Sequence, residues 1–419
     1  MLKALPAAFH RRTTAIIAVL SCSAGIALLP QTAYCELLSL DSCVVRALQS
    51  HPALRASDRG IDAARARLSQ AGSFDAPDLS YAFGKLGTPV SRDEHESSLR
   101  LSQNLGTPGQ RSKTKSVARL DVSIAQTFRK SEELRLRAEV ARAYRRLQAD
   151  EAGVRILGNL ARTAHDLDAM VATRLRTGGA RYLDVLRARS ERVRIENDGV
   201  EAQRALREDR RVLNSLMGRA PDEPLAASDS LAYVPLSDSL DAVLELALST
   251  RPRVLAARLN VERGRADLAL VRGGLLPAAS LSAGLDRVPG SDRPGIGGEV
   301  SISLPFAPWS DRHSKVREVS ANSVESQARL EVTQRDVELA IRNAYGDARA
   351  AETQVRQFDR YLIADAADAI RTAIQNYQAG QIDGLELFET LRTFRAIQLD
   401  HVRALLNYQL ALTDLAVAE

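Results

Sequence analysis

Arg176-Thr177-Gly178, followed by Leu183-Asp184-Val185-Leu186, is answered by Gln378-Ala379-Gly380, followed by Leu385-Glu386-Leu387-Phe388, 202 positions later. The correspondence continues backwards along the chain. Ala143-Tyr144 returns as Ala344-Tyr345, and Ser102, Leu105 and Arg111 return as Ser303, Phe306 and Arg312. Leu48-Gln49-Ser50-His51-Pro52 returns as Leu248-Ser249-Thr250-Arg251-Pro252. The offset drifts only from 200 to 202, so one structural plan is written twice. The repeats span residues 38–220 and 236–417.

Each repeat contains a long stretch without proline, between Pro108 and Pro221 and after Pro308. Both stretches are rich in Ala, Leu, Arg, Glu and Gln, which favour helix. Apolar residues recur every seven positions at Val140, Leu147, Val154 and Ala161, and again at Ile341, Ala348, Val355 and Leu362. Such a seam packs long helices closely with a left-handed supercoil. The spacing predicts a helix of about 65 residues, roughly 100 Å long. A reversal follows at Gly178-Gly179 or at Gly380, and then a returning helix. Shorter helices are expected over 41–72 and 240–272.

Between the short and long helices the period changes to two. Leu79, Tyr81 and Phe83 alternate with small residues, and Leu99 and Leu101 alternate with Arg100 and Ser102. Leu281, Ala283 and Leu285, then Val300, Ile302 and Leu304, do the same in the second repeat. This predicts two hairpins with one apolar face and one polar face, and exposed linkers at 86–96 and 286–298. Lipid admits strands only in a closed barrel, and four strands cannot enclose a pore. Three copies would supply twelve. The fold class expected is mainly α with a membrane β-barrel contribution, on a duplicated helix–β-hairpin–helix plan.

Composition narrows the alternatives. The 419 residues hold 57 Lys plus Arg against 52 Asp plus Glu, a small surplus on a heavily charged chain rather than a nucleic-acid surface. Charged residues make up 26%, which argues against a bundle of apolar membrane helices. Residues 1–33 read as a signal peptide, with Lys3, Arg11 and Arg12 ahead of an interrupted apolar stretch ending at Ala33. Removing them lowers the formal charge from +5 to +2. Val19-Leu20-Ser21-Cys22 offers a second processing mode, with Cys22 lipidated. Cys35 and Cys43 would then remain, either as a short disulfide loop in an oxidising compartment or as two inert thiols.

The duplicated plan, the opening at Leu48, His51 and Pro52, the Leu276-Pro277 pair before the third strand, and the Tyr377–Gly380 and Leu385–Phe388 segments closely resemble the outer-membrane efflux protein family. The match spans roughly residues 38–417. The resemblance implies a homotrimer with a twelve-stranded barrel in outer-membrane lipid, continuous with a long α-helical periplasmic tunnel. It further implies a periplasmic adaptor protein and an inner-membrane proton-driven efflux pump as partners. Compact length and a short inter-repeat segment are similar to the branch exporting heavy-metal cations. Multidrug efflux and type I protein secretion are the alternatives. A structural coiled-coil envelope protein is the rival of another class, but it leaves the strands without a role.

No catalytic motif and no metal or cofactor site is read from the sequence; the histidines are scattered and no H-x-x-H, H-E-x-x-H or C-x-x-C pattern occurs. The periplasmic closure is expected at the helical end remote from the strands. Asp365, Asp368, Asp383 and Glu386 are its candidate residues, with solvated-face carboxylates as the plainer reading. The exported chain is expected to begin after Ala33. Intact-mass measurement of membrane-extracted protein checks this, and a chain retaining Met1 in the cytoplasm would contradict export.

Overall fold

A computed structural model describes residues 36–85, 95–274, 276–287, 293–303, 309–358 and 360–418. Residues 1–33, expected to be a signal peptide, with Cys22, and also Cys35 and Leu304, lie outside these residues. Cys43 is a free and fully buried thiol, and burial pushes it up to about 11.

The first repeat opens with strand β1 (Glu36–Leu38), helices α1 (Leu40–Ser50) and α2 (Pro52–Gln70), and the hairpin β2 (Asp78–Lys85) and β3 (His95–Gly106). The long helix α3 (Gln110–Arg176) and its return α4 (Tyr182–Leu216) follow, then the short strand β4 (Leu225–Ala227). The second repeat runs α5 (Leu240–Thr250), α6 (Pro252–Gly273), β5 (Ala278–Arg287), β6 (Gly295–Ser303), α7 (Trp309–Gln357), α8 (Arg360–Ala379) and α9 (Gly384–Ala418).

Three sequence expectations are corrected. The helices expected over 41–72 and 240–272 are each two, broken at Pro52 and Pro252. His51 and Arg251 are held extended, at φ −68°, ψ 129° and φ −62°, ψ 127°. A residue before proline is driven to that conformation, and proline then starts the next helix without a missing donor. The duplication reaches the caps, for the Ser39 hydroxyl accepts from the Ser42 N–H and the Ser239 hydroxyl from the Ala242 N–H, both at 3.3 Å.

Secondly, the hairpin strands extend into segments expected to be loops, since β3 begins at His95, β5 continues to Arg287 and β6 begins at Gly295. Cross-strand registry carries the ladder through the polar and glycine residues there. Thirdly, the long helix is continuous only in the first repeat. In the second it leaves helical geometry at Phe358, whose N–H bonds the Val355 carbonyl at 3.1 Å. The Phe358 ring lies 6.0 Å from His401 of α9, so tertiary packing rather than proline accompanies this break. The break also ends the seven-residue seam. Ile341, Ala348 and Val355 are buried, while Leu362, beyond the break, is exposed.

The core is a line of clusters along the helices rather than one central mass. Val140, Ala143, Tyr144 and Leu147 of α3 pack with Leu38, Cys43, Ala47, Leu213 and Leu225. Val337, Ile341 and Ala348 of α7 pack with Val243, Ala247 and Leu415 in the equivalent place. A further cluster at the far end joins α3, α4, α8 and α9. Outward faces carry many Arg–Glu pairs one turn apart, such as Arg135–Glu139 at 2.6 Å and Arg342–Glu338 at 2.8 Å. Each exposed pair contributes only about 0.3–0.5 kcal/mol, but many along one helix support its polar side.

Parallel pairing of β1 with β4 was not legible in three-residue strands. It begins a strap that binds the inter-repeat segment to the helices. Tyr144 donates its buried hydroxyl to the Leu38 carbonyl at 2.9 Å and to Asp229, and Gln148 donates to the Asp229 carbonyl at 3.0 Å. Tyr408 donates to the Val234 carbonyl at 2.6 Å and Gln409 to the Ala232 carbonyl at 2.7 Å. Burial and the Asp229 carboxylate push the Tyr144 phenol up to about 12, which keeps it a donor. Tyr144→Phe is expected to lower stability by about 0.5–1.5 kcal/mol, the net loss of the hydroxyl's hydrogen bonding, since the Leu38 carbonyl keeps the Ser228 N–H at 3.0 Å. Denaturant unfolding and amide exchange at residues 36–38 check this.

Candidate functional site

The four long strands form one antiparallel sheet in the order β2-β3-β5-β6. Its register brings the alternating apolar residues onto a single face: Leu79 opposes Leu101, Tyr81 opposes Leu99, Leu99 opposes Leu285 and Leu281 opposes Val300. This face is uncovered, with Phe83 82% and Ile296 85% exposed. The opposite face carries Ser80, Ser98, Arg100, Ser102, Ser282, Glu299 and Ser301. An exposed apolar sheet face of this extent demands a covering medium. Among the described residues both β2 and β6 are edges, each with one side unpaired. No helix among the described residues is long and apolar enough to cross a membrane.

At the other extremity lie the hairpin tips. Gly178 and Gly380 adopt φ +77° and +78°, the left-handed geometry that ends a helix in a reversal. Gly179 does not have a positive φ; its place is set by Arg174, whose Nε would lie 3.3 Å from an added Cβ. Gly384 has a stronger requirement, because an added Cβ would lie 2.7 Å from Oδ1 of Asp184. Helix α9 therefore starts directly on the buried Asp184 side chain.

Of the expected entrance residues, Asp383 and Glu386 act together at the start of α9: Asp383 accepts the Glu386 N–H at 3.1 Å. Backbone N–H groups of Glu386 and Leu385, with Arg181 and Arg187 nearby, hold the Asp383 carboxyl below the usual range. Arg181 donates to Asp383 at 3.3 Å across the tips. Arg181 and Asp383 are 202 positions apart, the repeat offset, so equivalent positions of the two halves meet there. The Glu386 side chain is exposed. Asp365 and Asp368 lie on an exposed face of α8, and Asp368 accepts from Arg371 at 2.8 Å. The structure thus joins Asp383 to the opposite tip and does not bring Asp365 and Asp368 to it.

The strongest polar links here were not anticipated. Glu191 of α4 is 1% exposed and accepts from Arg392 Nε of α9 at 2.9 Å. Arg395 lies 3.6 Å from the other Glu191 oxygen and 2.9 Å from Asp198. Asp184 accepts the Arg181 N–H at 3.1 Å, and Arg187 stands 3.5 Å from its second oxygen. The sequence signal was only a heavily charged pair of returning helices, which reads as solvated until their mutual packing is known.

Farther along α3 and α4, burial and the neighbouring Asp209 push Asp150 up to about 7, while Arg146 opposes the shift. A raised carboxyl pKa in the fold makes this contact most favourable when protonated. Its contribution is present below the ordinary carboxylate range and is lost as pH rises towards 7. No group of three or more potential metal ligands occurs among the described residues.

Glu191→Ala is expected to destabilise the chain by about 1.5–3 kcal/mol, the loss of its charged hydrogen bond to Arg392, while Arg392 keeps Glu389 at 2.7 Å and Arg395 keeps Asp198 at 2.9 Å. Asp383→Asn is expected to cost far less, since Asn still caps α9. Denaturant midpoints of the two variants check the difference.

Comparison with known proteins places this geometry. The outer membrane efflux protein family matches residues 43–219 and 243–418. The cobalt-zinc-cadmium resistance protein CzcC of Cupriavidus metallidurans is 22% identical, over 90% of this chain and 88% of that protein. The pyoverdine export outer membrane protein OpmQ of Pseudomonas aeruginosa is 27% identical, over 86% of this chain and 80% of that protein. The crystal structure of the outer membrane protein VceC from Vibrio cholerae superposes with a TM-score of 0.76 at 18% identity, covering 90% of this chain and 96% of that one. Matched through both repeats, the chain belongs to the outer membrane efflux protein family.

Proposed function

We propose that the chain is the outer-membrane channel of a tripartite efflux system and that its cargo is a class of small organic solutes. It works as a homotrimer, with the strands in the outer membrane and the helices extending into the periplasm. A periplasmic adaptor and an inner-membrane pump complete the system, and the energy comes from the pump. The chain itself is a passive conduit, not an enzyme. The observation that carries this reading is the two-faced sheet, apolar and uncovered on one side, polar on the other, with an edge at β2 and another at β6. Pairing β6 of one copy with β2 of the next removes every edge when three copies close a twelve-stranded barrel.

The organic-cargo reading is supported by similarity to the pyoverdine export protein at 27% identity. Export of metal cations is the second reading. It is favoured by the alignment to the cobalt-zinc-cadmium resistance protein, which extends over 90% of this chain. The heavy-metal branch expected from compact length takes second place because the other relatives are a pyoverdine export protein, at 27% identity, and the outer membrane efflux protein BepC of Brucella suis, at 26%. Asp383 and Glu386, beside the Arg181 link, are the proposed entrance residues; Asp365 and Asp368 are proposed there only if a neighbouring copy faces α8.

Mass measurement in mild detergent is expected to give three chains per particle, and a monodisperse monomer in both detergent and lipid would overturn the channel reading. Deletion is expected to sensitise cells to organic toxicants more than to cobalt, zinc, cadmium or nickel. The reverse pattern would select the metal reading.

A further inference from the structure

The polar face of the sheet carries an ion pair that joins strands which are not neighbours. Arg100 lies on β3 and Glu299 on β6, with β5 between them. Adjacent strands are about 4.8 Å apart, so these two backbones are separated by about 10 Å. Arg100 is in register with Gly284, and Gly284 with Gly297. Neither glycine raises a side chain, and Glu299 is in register with Ser282, two residues along β5, so the Arg100 guanidinium crosses β5 diagonally to stand 3.5 Å from Glu299 Oε2. Ser301 donates to the other Glu299 oxygen at 2.7 Å, which orients the carboxylate. A Cβ at Gly284 would lie 3.2 Å from the Leu99 carbonyl oxygen and 3.8 Å from Arg100 Cβ, so the path over β5 is kept open by a glycine with little room for a replacement.

Charge balance gives this pair its consequence. On the polar face, among the strand side chains the structure describes, the acids are Asp78, Asp286 and Glu299, and Arg100 is the base. Without Arg100 the described lining is wholly acidic. We propose that Arg100, held across the wall by Glu299, is a specificity-determining residue of the duct, repeated three times around the lumen, which offsets part of the acidic lining and so lowers the exclusion of anionic solutes. The assignment rests on the channel reading above, because only a closed trimer turns the polar face into a lumen. In a narrow aqueous passage with low-dielectric walls, three fixed positive charges act more strongly than they would on an open surface. The guanidinium keeps donors beyond those directed at Glu299, and these fit carboxylate or other oxyanion groups on a passing solute.

The test uses the full-length exported protein, extracted as a trimer and placed in planar lipid bilayers under a tenfold potassium chloride gradient. Reversal potentials are compared for the unaltered protein, Arg100→Gln, Arg100→Lys and Glu299→Gln. Arg100→Gln is expected to raise the cation-to-anion permeability ratio about twofold or more, as loss of three lumenal positive charges requires. Arg100→Lys is expected to stay near the unaltered value, and Glu299→Gln to move in the anion direction. An Arg100→Gln reversal potential equal to that of the unaltered protein overturns the assignment, as does an Arg100→Lys shift as large as that of Arg100→Gln. If Arg100→Gln fails to form trimers, Glu299→Gln decides alone, and an unchanged value overturns the proposal. Failure of the unaltered trimer to conduct at all is a different result, which overturns the channel reading itself.

Discussion

A strand surrounded by lipid must have every backbone donor and acceptor paired, because no water is there to replace a missing partner. The sheet of this chain meets that demand internally at β3 and β5 and leaves it unmet on one side of β2 and one side of β6. Its apolar face is equally unfinished, with Leu79, Tyr81, Phe83, Val300 and Ile302 uncovered. Both deficits have the same remedy in further copies of the chain and a surrounding apolar medium. The duplication follows from the same constraint. Each repeat supplies one hairpin, and hairpins add strands in pairs without leaving a parallel crossover to be covered.

The helices transmit this plan over a distance a sheet could not span. Helix α3 has 67 residues, and at 1.5 Å per residue it extends about 100 Å. A structure so thin has little central core, and its stability is distributed along its length. The inter-repeat strap, tied by Tyr144, Gln148, Tyr408 and Gln409, fastens both halves where the short helices meet the long ones. Near the tips the chain changes its means of cohesion, and buried Glu191 and Asp184 are surrounded by arginines from neighbouring turns and from α9. Buried ion pairs of this kind are a poor source of net stability, since desolvation consumes much of their attraction. Here they join α4 to α9, through Glu191 with Arg392 and Arg395.

The two repeats are alike in plan and unlike at the positions that matter for these contacts. Gly384 of the second tip corresponds to Tyr182 of the first, and only the glycine lets α9 rest on Asp184. Helix α3 is unbroken while its counterpart divides at Phe358. The halves therefore form one joint rather than two copies of a joint, with Arg181 and Asp383 meeting across it.

Much of this was legible in the order of residues. Local chemistry determined the duplication, the period-two strands, the glycine reversals and the proline-free helices, because each depends on neighbours within a few residues. Even the breaks at Pro52 and Pro252 were written there, since the residue before a proline is sterically disfavoured in helix. The rest required distant segments to meet. Three-residue strands β1 and β4 have no periodicity to read, and Phe358 carries no helix-breaking signal; its partner His401 lies far along the chain. Glu191 looks like a solvated acid until α9 brings Arg392 to it, and Arg100 and Glu299 look like unrelated charges until β5 sets Gly284 between their strands. Sequence determined the elements because their causes are local; tertiary structure decided the charge pairs because electrostatic partners are chosen by distance in space.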